Sequence, residues 1–247
     1  MSADPADRFY GELAAWWPLI SPLDDYVEEA AYVERLLLAH PRPVRQMLEL
    51  GSGGGHMAHH LRRFDLTLSD LSAQMVAVSQ ALNPGCEHVV ADMRTMRLGR
   101  RFDAVLVHDA IEYMTTEADL LAALTTAFEH LHPGGLAVVM PDATAEIFEP
   151  SDDVGGSDGP DRGVRLLEWT RAPDAADGAV RTDYVFVLRR GDDVEVVHET
   201  HRTGVFSRAT WSRLLAEAGF DARRVVEETT EARTPRDVFL AVRPPGP

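Results

Sequence analysis

The sequence predicts an α/β fold: a mostly parallel sheet with helices on both faces and a small antiparallel sheet inserted before its last strands. Three observations predict it. Between Gln46 and Met140 short apolar runs alternate with helical stretches, the pattern of a parallel sheet covered on both sides. The first run feeds a glycine-rich turn, Gly51-Ser52-Gly53-Gly54-Gly55, that opens a helix. From Val164 to Thr203 the chain changes to longer alternating runs joined by turn residues, which is antiparallel behaviour.

The elements follow in order. Ala6 to Leu38 reads as helical, interrupted around Pro18 to Pro22. Gln46 to Leu50 is the first strand, and Leu66–Asp70, His88–Met93, Phe102–Asp109 and a run ending at Met140 are the next four. A turn, His132-Pro133-Gly134-Gly135, precedes the fifth. Helices are expected over His56–Phe64, Ser72–Leu82 and Glu117–Leu131, with Ser72 placed as an N-cap. Glu149 to Gly163 is rich in Asp, Gly and Ser and reads as a mobile loop. Three antiparallel strands follow: Val164–Thr170, Ala179–Arg190 and Val194–Thr203, the last two separated by Gly191-Asp192-Asp193. Alternation puts Thr182, Tyr184, Phe186 and Leu188 on one face. Ser207 caps a helix over Arg208–Ala218 that stops at Gly219. Phe220–Glu228 and Asp237–Val242 are the last strands. The division is therefore a core of residues 1–142 plus 206–247 and an inserted sheet of residues 143–205.

The glycine turn lets a ligand lie against the backbone at a helix N-terminus. A dinucleotide fingerprint would place glycine where His56 stands. Glu49 also sits two residues before the first glycine. A carboxylate there repels a pyrophosphate and attracts an ammonium or sulfonium group. Asp70 closes the second strand in the window, about 20 residues past the glycines, where an acid binds ribose hydroxyls. Asp92, at the end of the third, is placed to accept from an adenine amino group, and Met93 to pack on the ring.

Together these segments resemble the class I S-adenosylmethionine-dependent methyltransferases. Glu49-Leu50-Gly51-Ser52-Gly53-Gly54-Gly55 is similar to that family's first motif, Asp70 to its ribose-binding acid, and Asp92-Met93 to its adenine pair. The Phe102-Asp103 start of the fourth strand and the Leu131-His132-Pro133-Gly134-Gly135 turn are also family-like. The resemblance covers Val44 to Met140 and, more loosely, Phe206 to Val242. It implies a Rossmann-like seven-stranded sheet whose final strand is antiparallel. It implies S-adenosylmethionine as methyl donor, S-adenosylhomocysteine as product and no metal. Gly51, Ser52 and Gly53 would admit the methionine moiety, with Glu49 near its ammonium. The insertion is similar to that of small-molecule methyltransferases, including sugar N-methyltransferases of antibiotic pathways.

Roles for the remaining residues are expectations. Leu71 and Met75 are placed to pad the adenosine, though core packing suits Met75 equally. His108 and Asp109 lie where donor meets acceptor. His108 is either a general base or a hydrogen-bonding partner of cofactor or backbone. The resemblance implies a lid from the N-terminal segment, with Tyr10 as a cofactor contact and catalytic candidate; Trp16 and Trp17 serve as lid or as packing. Tyr113, Trp169, Tyr184, His198, His201 and Arg202 are candidates for the acceptor pocket. His56, His59 and His60 lack the Glu of an H-E-x-x-H pattern, so zinc is not expected.

Composition narrows the partners. The chain of 247 residues carries a net charge of −16 and no lysine. That excludes Walker-type phosphate loops and Schiff-base lysines and argues against nucleic acid, which needs a positive footprint. The single cysteine, Cys86, excludes an internal disulfide. With no spanning apolar run and no signal pattern, a cytoplasmic monomer or homodimer acting on a small molecule is expected, with no membrane partner. Nitrogen and oxygen acceptors both stay open. The rivals are an NAD-linked dehydrogenase, a non-catalytic S-adenosylmethionine-binding partner, and an RNA or protein methyltransferase.

Overall fold

The computed structural model describes residues 8–174, 178–230 and 235–245. Its main sheet has seven strands: β1 (Gln46–Leu50), β2 (Asp65–Asp70), β3 (Glu87–Val90), β4 (Phe102–His108), β5 (Leu131–Met140), β10 (Asp221–Val226) and β11 (Asp237–Val242). Their spatial order is β10-β11-β5-β4-β1-β2-β3. Pairing is parallel from β3 through β5, and β11 runs antiparallel to both β5 and β10. The chain leaves β1 for β2 on one side and later returns to β4 on the other. That reversal opens a crevice beyond the carboxyl ends of β1 and β4, where ligands of such sheets bind.

Both faces are covered, which is why the central strands are apolar throughout. Leu48, Leu50, Val105, Val107, Ala137 and Val139 pack on one side against α5 (Glu117–Glu129) and α6 (Arg208–Glu217). Met47, Leu66, Leu68, Leu106 and Val138 pack on the other against α2 (Val27–Leu38) and α3 (His56–His60). Truncating a fully buried leucine such as Leu48 to alanine costs about 2–5 kcal/mol.

The second sheet has four antiparallel strands, β6 (Ser151–Gly155), β7 (Arg162–Thr170), β8 (Ala179–Arg190) and β9 (Asp193–Gly204), in that order. Phe186 and Leu188 on its inner face join Val164 and Val197 against Phe9, Leu13 and Trp16. The N-terminal segment is thereby a strap pressed between this sheet and the crevice.

Several expectations are corrected. Ser151–Gly155, inside the expected loop, pairs with β7 as a fourth strand, because backbone pairing at an exposed edge overrides poor strand propensity. The first helix of the core stops at His60 rather than Phe64. β3 ends at Val90, leaving Asp92 and Met93 in the following turn. The strap is turns and short helices (Ala14–Trp16, α1 at Trp17–Ile20, Leu23–Tyr26) before α2, so Tyr10 sits in a turn. Ala6, where the helical reading began, lies outside the described residues. α4 (Ala73–Leu82) starts as expected, Ser72 Oγ accepting from Met75 N at 3.1 Å.

Candidate active site

The glycine turn is held by backbone bonds that leave its upper surface bare. Gly51 N and Ser52 N donate to Ser69 O at 2.8 and 2.9 Å. Gly51 has φ +75°, and a Cβ there would collide with Ala110 and come within 2.9 Å of Met93 Cε. At Gly54 a Cβ would meet the Trp17 ring at 2.5 Å. The turn therefore accepts close approach only because side chains are missing.

Above it lies a cleft of about 890 Å³ lined by Tyr10, Trp17, Glu49, Gly51, Ser52, Gly53, Asp70, Leu71, Asp92, Met93, His108 and Tyr113, among others. Two buried polar atoms on its wall, Glu49 Oε2 and Ser52 Oγ, have no hydrogen-bond partner among the described residues. Burial pushes the Glu49 carboxyl up to about 8, partly offset by His108. An orphaned acid at the strand end and an orphaned hydroxyl in the turn fit a ligand that brings an ammonium and hydrogen-bonding groups. Asp70 accepts from Gly53 N and Ser72 N, both at 2.8 Å. Burial raises its pKa while those two bonds oppose the rise. Each carboxylate oxygen keeps a lone pair for a ligand hydroxyl. Asp92 is gripped by Arg94 at 2.7 Å, which holds its carboxyl below the usual range.

The strap closes one side. Ser72 Oγ donates to Tyr10 O at 2.5 Å, and Trp17 Nε1 donates to His56 Nδ1 at 3.0 Å. His56 is buried, which pulls it down to about 4 and keeps it neutral as an acceptor.

The cleft joins a second chamber of about 650 Å³ between the carboxyl ends of β4 and β5 and the inner face of the second sheet. Asp109, Glu112, Asp142, Glu168 and Tyr184 line both spaces. Among the described residues this chamber presents eight carboxylates and a single guanidinium, Arg236. Arg236 is already paired with Glu29, Asp109 at 2.8 Å, Asp142 at 3.1 Å and Glu227 at 3.2 Å. Burial, with Asp142 and Asp109 nearby, raises Glu112 well above the ordinary glutamate value. Asp109 carries φ +40°, the one positive value outside glycine among the described residues. Its N–H is fixed to Met140 O at 3.0 Å and its carboxylate to Arg236, so the strained backbone aims a carboxylate into the junction.

The candidates from sequence do not all converge. His108 lines the cleft, but its Nε2 faces Glu29 at 3.0 Å and Arg236 at 3.3 Å within a buried network. Met75 is fully buried beneath Gly53, its Cε 3.6 Å from where a Cβ would stand. Trp169 is corrected: its neighbours Glu168 and Thr170 line the chamber, so alternation turns it outward, 47 % exposed. His198 and Arg202 line neither space. His201 stands one layer back, bonded to Tyr113. Sequence reasoning missed Glu29, Glu112, Asp142, Glu168, Arg236 and Glu199. Asp142 was findable, since it follows β5 as Asp70 ends β2 and Asp92 follows β3.

The family described as methyltransferase domain matches residues 47–135, which span the glycine turn, Asp70 and Asp92. The dTDP-3-amino-3,6-dideoxy-α-D-glucopyranose N,N-dimethyltransferase of Streptomyces fradiae is 30% identical over 225 residues, covering 88% of this chain and 87% of the relative. The chain belongs to the class I S-adenosylmethionine-dependent methyltransferases. A dTDP-3-amino-3,4,6-trideoxy-α-D-glucopyranose N,N-dimethyltransferase of Streptomyces venezuelae is 29% identical, with 79% and 83% covered. Among solved structures, this methyltransferase superposes on a sugar N-methyltransferase from Streptoalloteichus with a TM-score of 0.78, at 25% identity, covering 89% and 88%. An amino pentose methyltransferase of calicheamicin biosynthesis from Micromonospora echinaspora, with S-adenosylmethionine bound, gives 0.73 at 25%, covering 88% and 91%. The dehydrogenase rival is set aside. S-adenosylmethionine is the methyl donor, and the orphaned groups of the glycine turn fit it. Among the described residues no cluster of three His, Cys, Asp or Glu is arranged to hold a metal ion, and no helix is long and apolar enough to cross a membrane.

Proposed function

We propose that this methyltransferase methylates an amine nitrogen of a small, positively charged specialised metabolite seated in the acidic chamber. The single observation that carries the reading is the charge of that chamber: eight carboxylates around one guanidinium that is already paired. Such a wall attracts an ammonium group and repels an anion. The relatives named above act on amino sugars at nitrogen, which supports the same choice of atom. Those sugars are dTDP-linked; the acidic wall favours an acceptor without phosphates.

The cofactor roles follow the cleft. Asp70 holds the ribose, Asp92 with Met93 and Leu71 the adenine, and Gly51, Ser52 and Gly53 the methionine moiety, with Glu49 on its ammonium. When bound, S-adenosylmethionine supplies an electrophilic methyl group on a sulfonium. Asp109 and Glu112 hold the amine at the junction, and Tyr184 floors the chamber. Proximity and alignment supply most of the acceleration, since a neutral amine is already a competent nucleophile. In this reading residues 143–205 form the acceptor side, the strap is the lid of the core, and the reaction takes place in the cytoplasm.

The test is methyl-labelled S-adenosylmethionine with a panel of amino sugars and small diamines, each beside its hydroxyl counterpart, and with total RNA. Label on amine nitrogens is expected. Label confined to the hydroxyl counterparts or to RNA, or none on any amine, overturns the reading.

A further inference from the structure

Behind the junction, the half-buried Tyr113 and two buried groups are bonded in series. Tyr113 Oη lies 2.6 Å from His201 Nδ1, His201 Nε2 lies 2.8 Å from Glu199 Oε1, and Glu199 Oε2 accepts the Phe9 N–H at 2.8 Å. His201 and Glu199 are 5 % and 7 % exposed, and neither lines the cleft or the chamber. Tyr113 does line the cleft, one residue after Glu112, and its hydroxyl also donates to Tyr10 Oη at 2.9 Å. With Nε2–H toward Glu199, a neutral His201 leaves Nδ1 as an acceptor for the Tyr113 hydroxyl, whereas a protonated His201 donates from both nitrogens and leaves that hydroxyl to Tyr10. The two arrangements differ by one proton and by the rotation of one hydroxyl.

We propose that His201, backed by Glu199, is a positioning and proton-holding residue that relieves the acceptor amine of its proton through Tyr113. The proposal rests on the amine reading above. An amine drawn into an acidic chamber arrives as an ammonium, which has no lone pair. Its N–H proton passes to Tyr113 Oη while the Tyr113 proton passes to His201 Nδ1, and the Glu199 carboxylate stabilises the resulting imidazolium. The freed lone pair forms the N–C bond as the S–C bond breaks, its electron pair staying on sulfur. The product is an N-methylammonium, one proton more than the neutral methylamine that must attack next, so a second methylation needs the same relief again. Between rounds His201 returns its proton by the same route to water entering the cleft.

The test takes an amine methylated in the panel above and follows kcat against pH for His201→Asn, Glu199→Gln and Tyr113→Phe. We expect kcat to fall about a hundredfold near pH 7 and to converge on wild type as pH approaches the amine's own pKa. S-adenosylhomocysteine affinity should stay within about twofold for Glu199→Gln. Tyr113→Phe and His201→Asn should be no worse together than singly, because they act as one unit. A loss equal at every pH, or no loss, overturns the relay and leaves the amine reading standing. Failure to methylate any amine overturns both. A readout apart from turnover comes from ¹⁵N spectra of His201 in the S-adenosylhomocysteine complex. Nε2 should carry the proton held toward Glu199, and an Nε2 that carries none overturns the relay.

Discussion

Trp17 Nε1 donates to His56 Nδ1 at 3.0 Å, tying the strap to the helix that begins beyond the glycine turn. The bond needs His56 unprotonated at Nδ1, and burial supplies that condition by holding it near 4. Because the folded value lies below the ordinary one, the stabilisation is complete above about pH 6.5 and is lost as pH falls toward about 4. Trp17→Phe should weaken S-adenosylhomocysteine binding about fivefold (~1 kcal/mol), measured by titration at pH 7. An unchanged affinity would detach the strap from cofactor binding.

Glu49 gives a second pH signature. Its carboxyl, at about 8, is protonated at neutral pH until an ammonium arrives and favours the ionised form. Affinity for S-adenosylhomocysteine should therefore rise from about pH 6 to about pH 8, with release of up to about one proton on binding. Calorimetry in two buffers of different ionisation heat reads that proton, and zero release would misplace the methionine moiety. Without ligand the sign reverses. A folded value above the unfolded one stabilises fully below about pH 4.5 and is lost as pH rises through about 8. Relative to Glu49→Gln, the ligand-free wild type should thus lose melting temperature over that span.

Asp70→Ala should weaken cofactor binding at least tenfold (about 1.4 kcal/mol). Asp70→Asn should fall between, since its amide oxygen can keep one of the two backbone N–H bonds to Gly53 and Ser72. Equal affinity in all three proteins would put the ribose elsewhere.

The charge of the chamber predicts a preference among acceptors. A 3-amino sugar as its methyl glycoside should show a lower KM than the same sugar linked to dTDP, and its KM should rise with salt. Glu168→Gln should raise that KM several-fold at constant cofactor affinity. A lower KM for the nucleotide-linked form would show that the eight carboxylates do not govern acceptor choice.

The sheet was legible because its signals are local. Apolar runs such as Met47 to Leu50, the glycine turn and the acids Asp70 and Asp92 each declare themselves within a few residues. The acceptor side was not. Glu29 lies on α2, Glu168 on β7 and Arg236 just before β11, and only the folded chain brings them to one chamber. Trp169 shows the limit of composition: an aromatic on the right strand faces away by one residue of register. β6 was hidden because its pairing depends on β7 rather than on its own Asp-rich sequence. Glu199 and His201 sit two apart on β9, and nothing in a strand's sequence says that a tyrosine from another element meets them.

The strap is pinned at three separated points: Phe9 N on Glu199, Tyr10 O under Ser72, and Trp17 on His56. In the proposed reading the donor lies beneath this clasp, so its exit waits on the strap lifting, and a substrate needing two methyl groups meets that gate twice. Half-methylated amine should consequently build up early in the time course, the gate acting as the enzyme's clock.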